Sequence, residues 1–518
     1  MTSVPCFLVL AIFIANMQEL ETKVVVLFSL PHTANVRTHT NVGRALAAIG
    51  HQPYVAIPQF MLDGKLVNTD GVNVIAYGDY LGNYGDKLTS NMLEHFWRGE
   101  YHHLSVMLEI EKIVQHSVRQ ILSDQHLIEQ LNALKPDLFV LTLVPPFKNI
   151  VILPYILNTS FVWMSPFNDL HGFRVPVSPT STPCQLAGVA SYQFFLDRLK
   201  LASCNIILMV VGQISGNDSM IAEFAPHRPQ TSVNALTLKA EVYLVEGDYI
   251  LDFAKPELPN MKMIGCTAPG SGKPLKDPFK KFVDESKNGV AVVTFGSGIV
   301  NIPVKVAEMM AAAFEQQSLN VVWRVNYTSQ NAGKIITSRW IPQNDILAHP
   351  NTRLFVSHCG ANGQYEALYH GVPMICMPIS GDQYYNAQRS TAKGFGLDAS
   401  LLELTSTQLA DLMKEVTENA KYRNNIKKAS TLFRQLYKES DKTAAFWIDH
   451  VMEYGGSYMR SAGQDMPLYQ FYALDVLGLI LLLIIAFVFV IYYTCRCCCG
   501  VFRKFCRKQP PSKKNKRE

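Results

Sequence analysis

From residue 23 onward, apolar runs of strand length alternate with stretches of helical periodicity. VVVLFSL opens the series, a helix over 36–49 follows, PYVAIP is a second strand, a helical stretch lies around 103–134, and DLFVLTLV and FVWMSP are further strands. Runs that are apolar throughout are buried on both faces, and with helices between them they predict a parallel sheet covered on both sides. The segment over 261–279, rich in Pro, Gly and Lys, reads as a linker. The pattern then resumes with VAVVTFGS, a helix over 303–317, NVVWRV, TRLFVSH, a helix through 366–370, MICMP and helices from 383 onward. The expected fold class is therefore α/β, with two facing Rossmann-like domains over 21–260 and 280–445 and no short internal repeat. A chain of 518 residues is also too long for one compact core. In open sheets ligands bind beyond the C-terminal ends of the strands, so the facing loops of the two domains define the predicted cleft.

The two ends of the chain carry different signals. Residues 6–15, CFLVLAIFIA, are too few to span a bilayer and stand where a secretory signal belongs, so 1–20 is read as a signal peptide cut between 15 and 22. Residues 476–493, VLGLILLLIIAFVFVIYY, are uncharged and bracketed by Tyr472, Tyr492 and Tyr493, which suit a membrane interface. A C-terminal transmembrane helix is expected over 472–493, preceded by a helix and juxtamembrane segment over 446–471. The tail that follows, 494–518, holds nine Lys or Arg and one acid. Its charge of +8 exceeds the chain's +5, so the remainder is at −3 and the basic balance does not argue for nucleic acid. The positive-inside rule puts the tail in the cytosol and the bulk of the chain in the lumen, a single-pass type I arrangement. Lys514 and Lys516, fifth and third from the C-terminus, have dilysine spacing, which predicts endoplasmic reticulum residence.

Cys495, Cys497, Cys498, Cys499 and Cys506 crowd the cytosolic membrane edge, where palmitoylation is the natural expectation. The lumenal set, Cys184, Cys204, Cys266, Cys359 and Cys376, is odd and scattered, which reads as buried thiols with at most one or two disulfides. Asn158, Asn217 and Asn326 open glycosylation sequons; Asn217 reads as exposed and Asn158, between apolar runs, as buried.

Residues 358–366, HCGANGQYE, form a glycine turn between the strand TRLFVS and a helix. Backbone N–H groups of such a turn converge on an anion at the helix N-terminus, and small residues let it approach, so phosphate is the expected guest. WIPQND stands upstream and GVPMICMPISGDQYYN downstream. In this order these stretches, with VAVVTFGSG and NVVWRV, resemble the UDP-glycosyltransferases, and within them the animal UDP-glucuronosyltransferases, strongly over about 280–493. The resemblance implies a GT-B type fold and a UDP-sugar co-substrate. It implies that Trp340 stacks on uracil, Gln343 bonds its edge, and His358, Ser297, Asn362 and the amides of Gly360 to Gly363 hold the diphosphate. It further implies that Glu366 accepts the ribose hydroxyls and that Asp382 and Gln383 bond the sugar, although Asp382 also suits a helix cap. The chain contains no Asp-x-Asp, so no metal or other cofactor is expected. The helix N-terminus and His358 would stabilise the departing UDP with preorganised charge. Cys359 reads as packing rather than a nucleophile.

The same family uses a histidine at the start of the first helix as base and an aspartate at the end of a later strand to orient it. Counting back from His51 places Asn35 at the histidine position, and Asn cannot take a proton. Counting forward from VVVLFSL lands beside His32, as if two residues had been inserted. His32 is the first candidate base, Asn35 and His39 are alternatives, and Thr142 stands where the aspartate should be. The expected activity is inverting transfer of a sugar to a hydroxyl of a small lipophilic acceptor beside the membrane. The alternative is a catalytically degenerate member that binds UDP-sugar and acts through protein interactions, as a homo- or hetero-oligomer.

Overall fold

The computed structural model describes residues 22–78, 84–101, 104–166, 168–184, 194–214 and 216–506. The signal peptide and the dilysine pair lie outside them. Seven strands, β1 (Val24–Phe28), β2 (Gln52–Pro58), β3 (Asn73–Tyr77), β4 (Leu138–Leu141), β5 (Ser160–Ser165), β6 (Tyr243–Val245) and β7 (Met261–Met263), form one sheet in the order 3-2-1-4-5-6-7. Six more, β8 (Val290–Thr294), β9 (Asn320–Arg324), β10 (Ile335–Ser338), β11 (Thr352–Ser357), β12 (Met374–Cys376) and β13 (Gly396–Asp398), form a second in the order 10-9-8-11-12-13. Every described pairing is parallel.

The apolar runs behave as their composition demands. Along β1, Val26 and Phe28 enter one core with Phe139, Leu141 and Trp163. Val25 and Leu27 enter another with Leu138, Val140 and Val162. The second sheet repeats this, with Val293, Trp323 and Val356 on one face and Val292, Val322 and Phe355 on the other. Successive residues of a strand point to opposite faces, so two apolar cores require runs with no polar alternation.

Four details differ from the sequence reading. Met261–Met263 pairs with Tyr243–Val245, so the first sheet takes in the opening residues of the expected linker. The first helix, α1, spans Thr33–Ala48 and begins three residues before the predicted 36. Asn158 is exposed, because it ends a short helix in the left-handed conformation (φ 56°) and its Oδ1 accepts from Arg228 Nη2 at 2.6 Å. Asn217 is half-buried, its Oδ1 accepting from Ser219 within its own sequon.

A helix near the C-terminus, Ser440–Tyr454, returns to the first sheet. Its Ala444, Ala445, Ile448 and Val451 join the core built on Val25, Leu27, Val36 and Leu46, and Asp449 meets His51 Nε2 at 2.9 Å.

Residues 461–518 form a separate unit. It holds a helix of 33 residues, Leu474–Cys506, of which Leu474–Lys504 is long and apolar enough to cross a membrane. At 1.5 Å per residue it is roughly 50 Å long against a hydrocarbon core of about 30 Å, so the helix outlasts the expected span of 472–493 and carries the cysteine cluster on its far end.

Candidate active site

In the second sheet β8 and β11 are neighbours, and the chain leaving β8 turns away from the chain leaving β11. Ser297 and Gly296 fall into that crevice from one strand, and His358, Cys359 and Gly360 from the other. The helix α2 (Ala361–His370) starts at Gly360 with no side-chain cap, which leaves its first N–H groups free for an anion. Two glycines are fixed by the histidine: a Cβ on Gly296 would lie 2.6 Å from His358 Nε2, and one on Gly360 2.7 Å. Cys359 has φ 60°, costly for a residue with a Cβ, and is bonded to Cys376 at the end of β12. The packing thiol expected here is thus a covalent pin under the turn.

His358 Nδ1 is 3.3 Å from Ser357 Oγ. Burial, and then the Arg324 guanidinium, pull its pKa down to about 4. The ring is neutral at pH 7, which corrects the expectation of a fixed charge: His358 can offer an anion one N–H, and the electrostatic share falls to the helix amides. Arg324, which no motif singled out, donates from Nε to Arg339 O at 3.0 Å and from Nη2 to Ser297 O at 3.0 Å, and also bonds Gly296 O, so it holds the 296–297 loop in place. Its guanidinium lies 5.5 Å from the Trp340 ring centre, and Trp340 itself is 67% exposed.

Glu366 sits in α2 and is buried. Its Oε2 accepts from Gln343 Nε2 at 2.7 Å, and its Oε1 from Arg37 Nη1 at 2.8 Å. Burial pushes the Glu366 carboxyl up, while Arg37 and Gln343 pull it down. Arg37 belongs to α1, on the other sheet. A second tie, Thr33 Oγ1 to Ser297 Oγ at 2.7 Å, crosses the cleft from the same helix turn. Sequence reasoning missed Arg37, since its role is visible only once Glu366 is placed opposite. Asn362 Oδ1 faces the Cys266 thiol at 3.9 Å, and a Cβ on Gly363 would lie 3.3 Å from Gln343 Nε2.

Beyond β12 the chain reaches Asp382 and the helix α3 (Gln383–Ala392). Asp382 makes no side-chain bond to its own helix's first N–H groups. Its Oδ2 accepts from Asn386 Nδ2 at 2.7 Å, and burial raises its pKa. Gln383 is folded back: its Oε1 accepts from Ile379 N at 2.8 Å and Ser380 N at 3.0 Å, which fixes the loop instead of extending the amide outward. Tyr101, from the first half of the chain, accepts from Gly381 N at 2.9 Å beside it.

The crevice of the first sheet lies between β1 and β4. There His39 is fully buried, with Nδ1 2.9 Å from Ser29 Oγ and Nε2 3.2 Å from Thr142 Oγ1. Burial drops its pKa to about 3. Thr142 is therefore the partner of His39, not of His32, and both ring nitrogens of His39 are engaged in the core. His32 precedes α1 as its N-cap and makes no side-chain cap bond. Its ring reaches solvent, yet surrounding protein lowers its pKa, and among the described residues no carboxylate acts on it. Asn35 lies in the first turn of α1, half-buried.

Two parallel sheets with facing crevices, one of them bearing an uncapped helix N-terminus, a histidine and a buried carboxylate, define a GT-B type protein. The chain belongs to the UDP-glucoronosyl and UDP-glucosyl transferase family, which matches residues 71–511. It is 30% identical to human UDP-glucuronosyltransferase 1A4 over 485 residues, 91% of this chain and 90% of the relative. It is likewise 30% identical to mouse UDP-glucuronosyltransferase 1-2 over 479 residues, 89% of each. Among solved structures it resembles the glycotransferase of kitacinnamycin, with TM-score 0.57 at 17% identity over 83% of this chain and 99% of that one. A UDP-glucosyltransferase from Polygonum tinctorium gives TM-score 0.57 at 16% identity over 83% of this chain and 99% of that one. At such identity these two likenesses describe the fold alone.

Proposed function

We propose that this chain is a membrane-anchored, glucuronosyltransferase-like enzyme that moves a sugar from a UDP-sugar to a hydroxyl of a small lipophilic acceptor, with inversion. The observation that carries the reading is Glu366, a buried carboxylate behind a glycine turn, bonded to Gln343 three residues after the exposed Trp340. A ribose needs such a carboxylate, a uracil needs such a ring and amide, and the turn between them suits a diphosphate. Asp382, with Gln383 once it unfolds from its loop, would bond the sugar. His32 would take the acceptor proton as the oxygen attacks the anomeric carbon and UDP departs toward the α2 N-terminus. No metal is required in this scheme. Two disulfides suit the endoplasmic reticulum lumen, and the helix Leu474–Cys506 would anchor the chain there.

A second reading, binding of UDP-sugar without transfer and action through a protein partner, is favoured by one observation: among the described residues no carboxylate assists His32, and the histidine that Thr142 does hold is buried. Full-length protein in detergent, offered labelled UDP-sugars with a phenol, a sterol and a fatty alcohol, decides between them. The expected result is transfer of one sugar, lowered roughly 100-fold or more by His32→Ala with UDP affinity unchanged. UDP binding with no transfer by the unsubstituted protein would establish the second reading, and absence of heat with millimolar UDP would remove both.

A further inference from the structure

Asn386 occupies the junction between the two parts of the proposed donor site. It is buried, one turn into α3, and its Nδ2 donates to Asp382 Oδ2 at 2.7 Å and to Cys359 O at 3.0 Å. Both neighbours only accept, which fixes the amide orientation without ambiguity. One proton of the amide therefore holds the carboxylate proposed to bond sugar, and the other holds the backbone of the proposed phosphate turn.

The helix turn that carries it is itself tied down. The main-chain carbonyl of Asn386 accepts from Gln364 Nε2 at 2.6 Å. Gln364 Oε1 in turn accepts from Arg389 at 2.9 and 2.7 Å, and Arg389 faces Asp252 at 3.9 Å. Such a chain of buried, mutually satisfied groups sets one geometry and resists rearrangement. Asp382 makes no cap bond to its helix, and its carboxylate is held by the Asn386 amide and by its own backbone N–H.

We propose that Asn386 is a positioning residue for sugar transfer: it fixes the Asp382 carboxylate at the spacing from the phosphate turn that a UDP-bound sugar requires. The inference rests on Asp382 as a sugar ligand. A donor bond to a carboxylate favours its charged form, so losing the amide proton lets burial raise the Asp382 pKa further.

Two variants of the full chain test this. Asn386→Asp is isosteric and sets two carboxylates against each other, where one must hold a proton; Asn386→Ala removes both donated bonds. For both, calorimetry should give a UDP affinity that falls by no more than about fivefold, through the lost bond to Cys359 O, while UDP-sugar affinity and kcat/KM fall roughly thirtyfold to hundredfold, with Asn386→Asp worse. The acid limb of the kcat/KM profile should move to higher pH in both. Equal losses for UDP and UDP-sugar, or failure of either variant to bind UDP at all, would make Asn386 a merely structural residue and overturn the proposal. So would an acid limb that stays in place. If the unsubstituted protein binds UDP-sugar but transfers nothing, the enzymatic reading fails while the difference between UDP and UDP-sugar binding still decides this one.

Discussion

Glu246 shows how far a single buried group can govern the behaviour of this chain. Its Oε1 lies 3.0 Å from Thr38 Oγ1 and 3.2 Å from Thr267 Oγ1, between the first sheet and the segment leading to the second. Burial raises its carboxyl from 4.5 to about 7. The folded state therefore holds a proton that the unfolded state releases between these values. The stability contributed is complete below pH 4.5 and is lost as pH rises to 7, by about 3 kcal/mol. Melting midpoints of the full chain should fall between pH 4.5 and 7, and Glu246→Gln should flatten that slope; identical slopes would refute the assignment. No motif pointed to this residue. The residues proposed to hold the donor, Trp340, Gln343, His358, Glu366 and Asp382, could be named from the sequence because they stand in one ordered run. Arg37 could not, and neither could the pairing of His39 with Thr142, because each contact joins positions more than 100 or 300 apart.

At the level of elements, the strands were legible for a simple reason: residues apolar on both faces have nowhere to go but between two helical layers. Helix ends were less so. Pro31 and His32 lack a strong capping side chain, and α1 begins at Thr33 without one. The disulfide pairing was illegible too, since spacing alone does not say which cysteines meet. Cys359–Cys376 closes a loop of sequence separation 17, for which chain entropy gives about 3 kcal/mol. Cys376→Ser should lower the melting midpoint and weaken UDP binding. Cys184→Ser, which breaks the disulfide with Cys204 in the first half, should lower the midpoint and spare UDP. Equal effects on UDP would show that the pin under the phosphate turn has no bearing on the donor.

For the molecule as a whole, the sequence conveyed two sheets and an apolar C-terminal helix, but not that Ser440–Tyr454 recrosses to the first sheet, because its small apolar face would suit either core. Anchoring by Leu474–Cys506 has a direct check. Leu482→Arg with Ile484→Arg places two charges mid-helix, each costing about 2.5–3.5 kcal/mol in a membrane. The doubly substituted chain should wash off membranes in alkaline carbonate, while the unsubstituted one stays; equal retention would mean another segment holds it. Finally, both oxygens of Glu366 already have company, one from Arg37 and one from Gln343. A nucleotide bound as proposed would exchange these bonds for its own, and its measured affinity would be the difference between two sets of bonds. A modest dissociation constant would thus report how firmly Arg37 and Gln343 hold Glu366, as much as how well uridine fits.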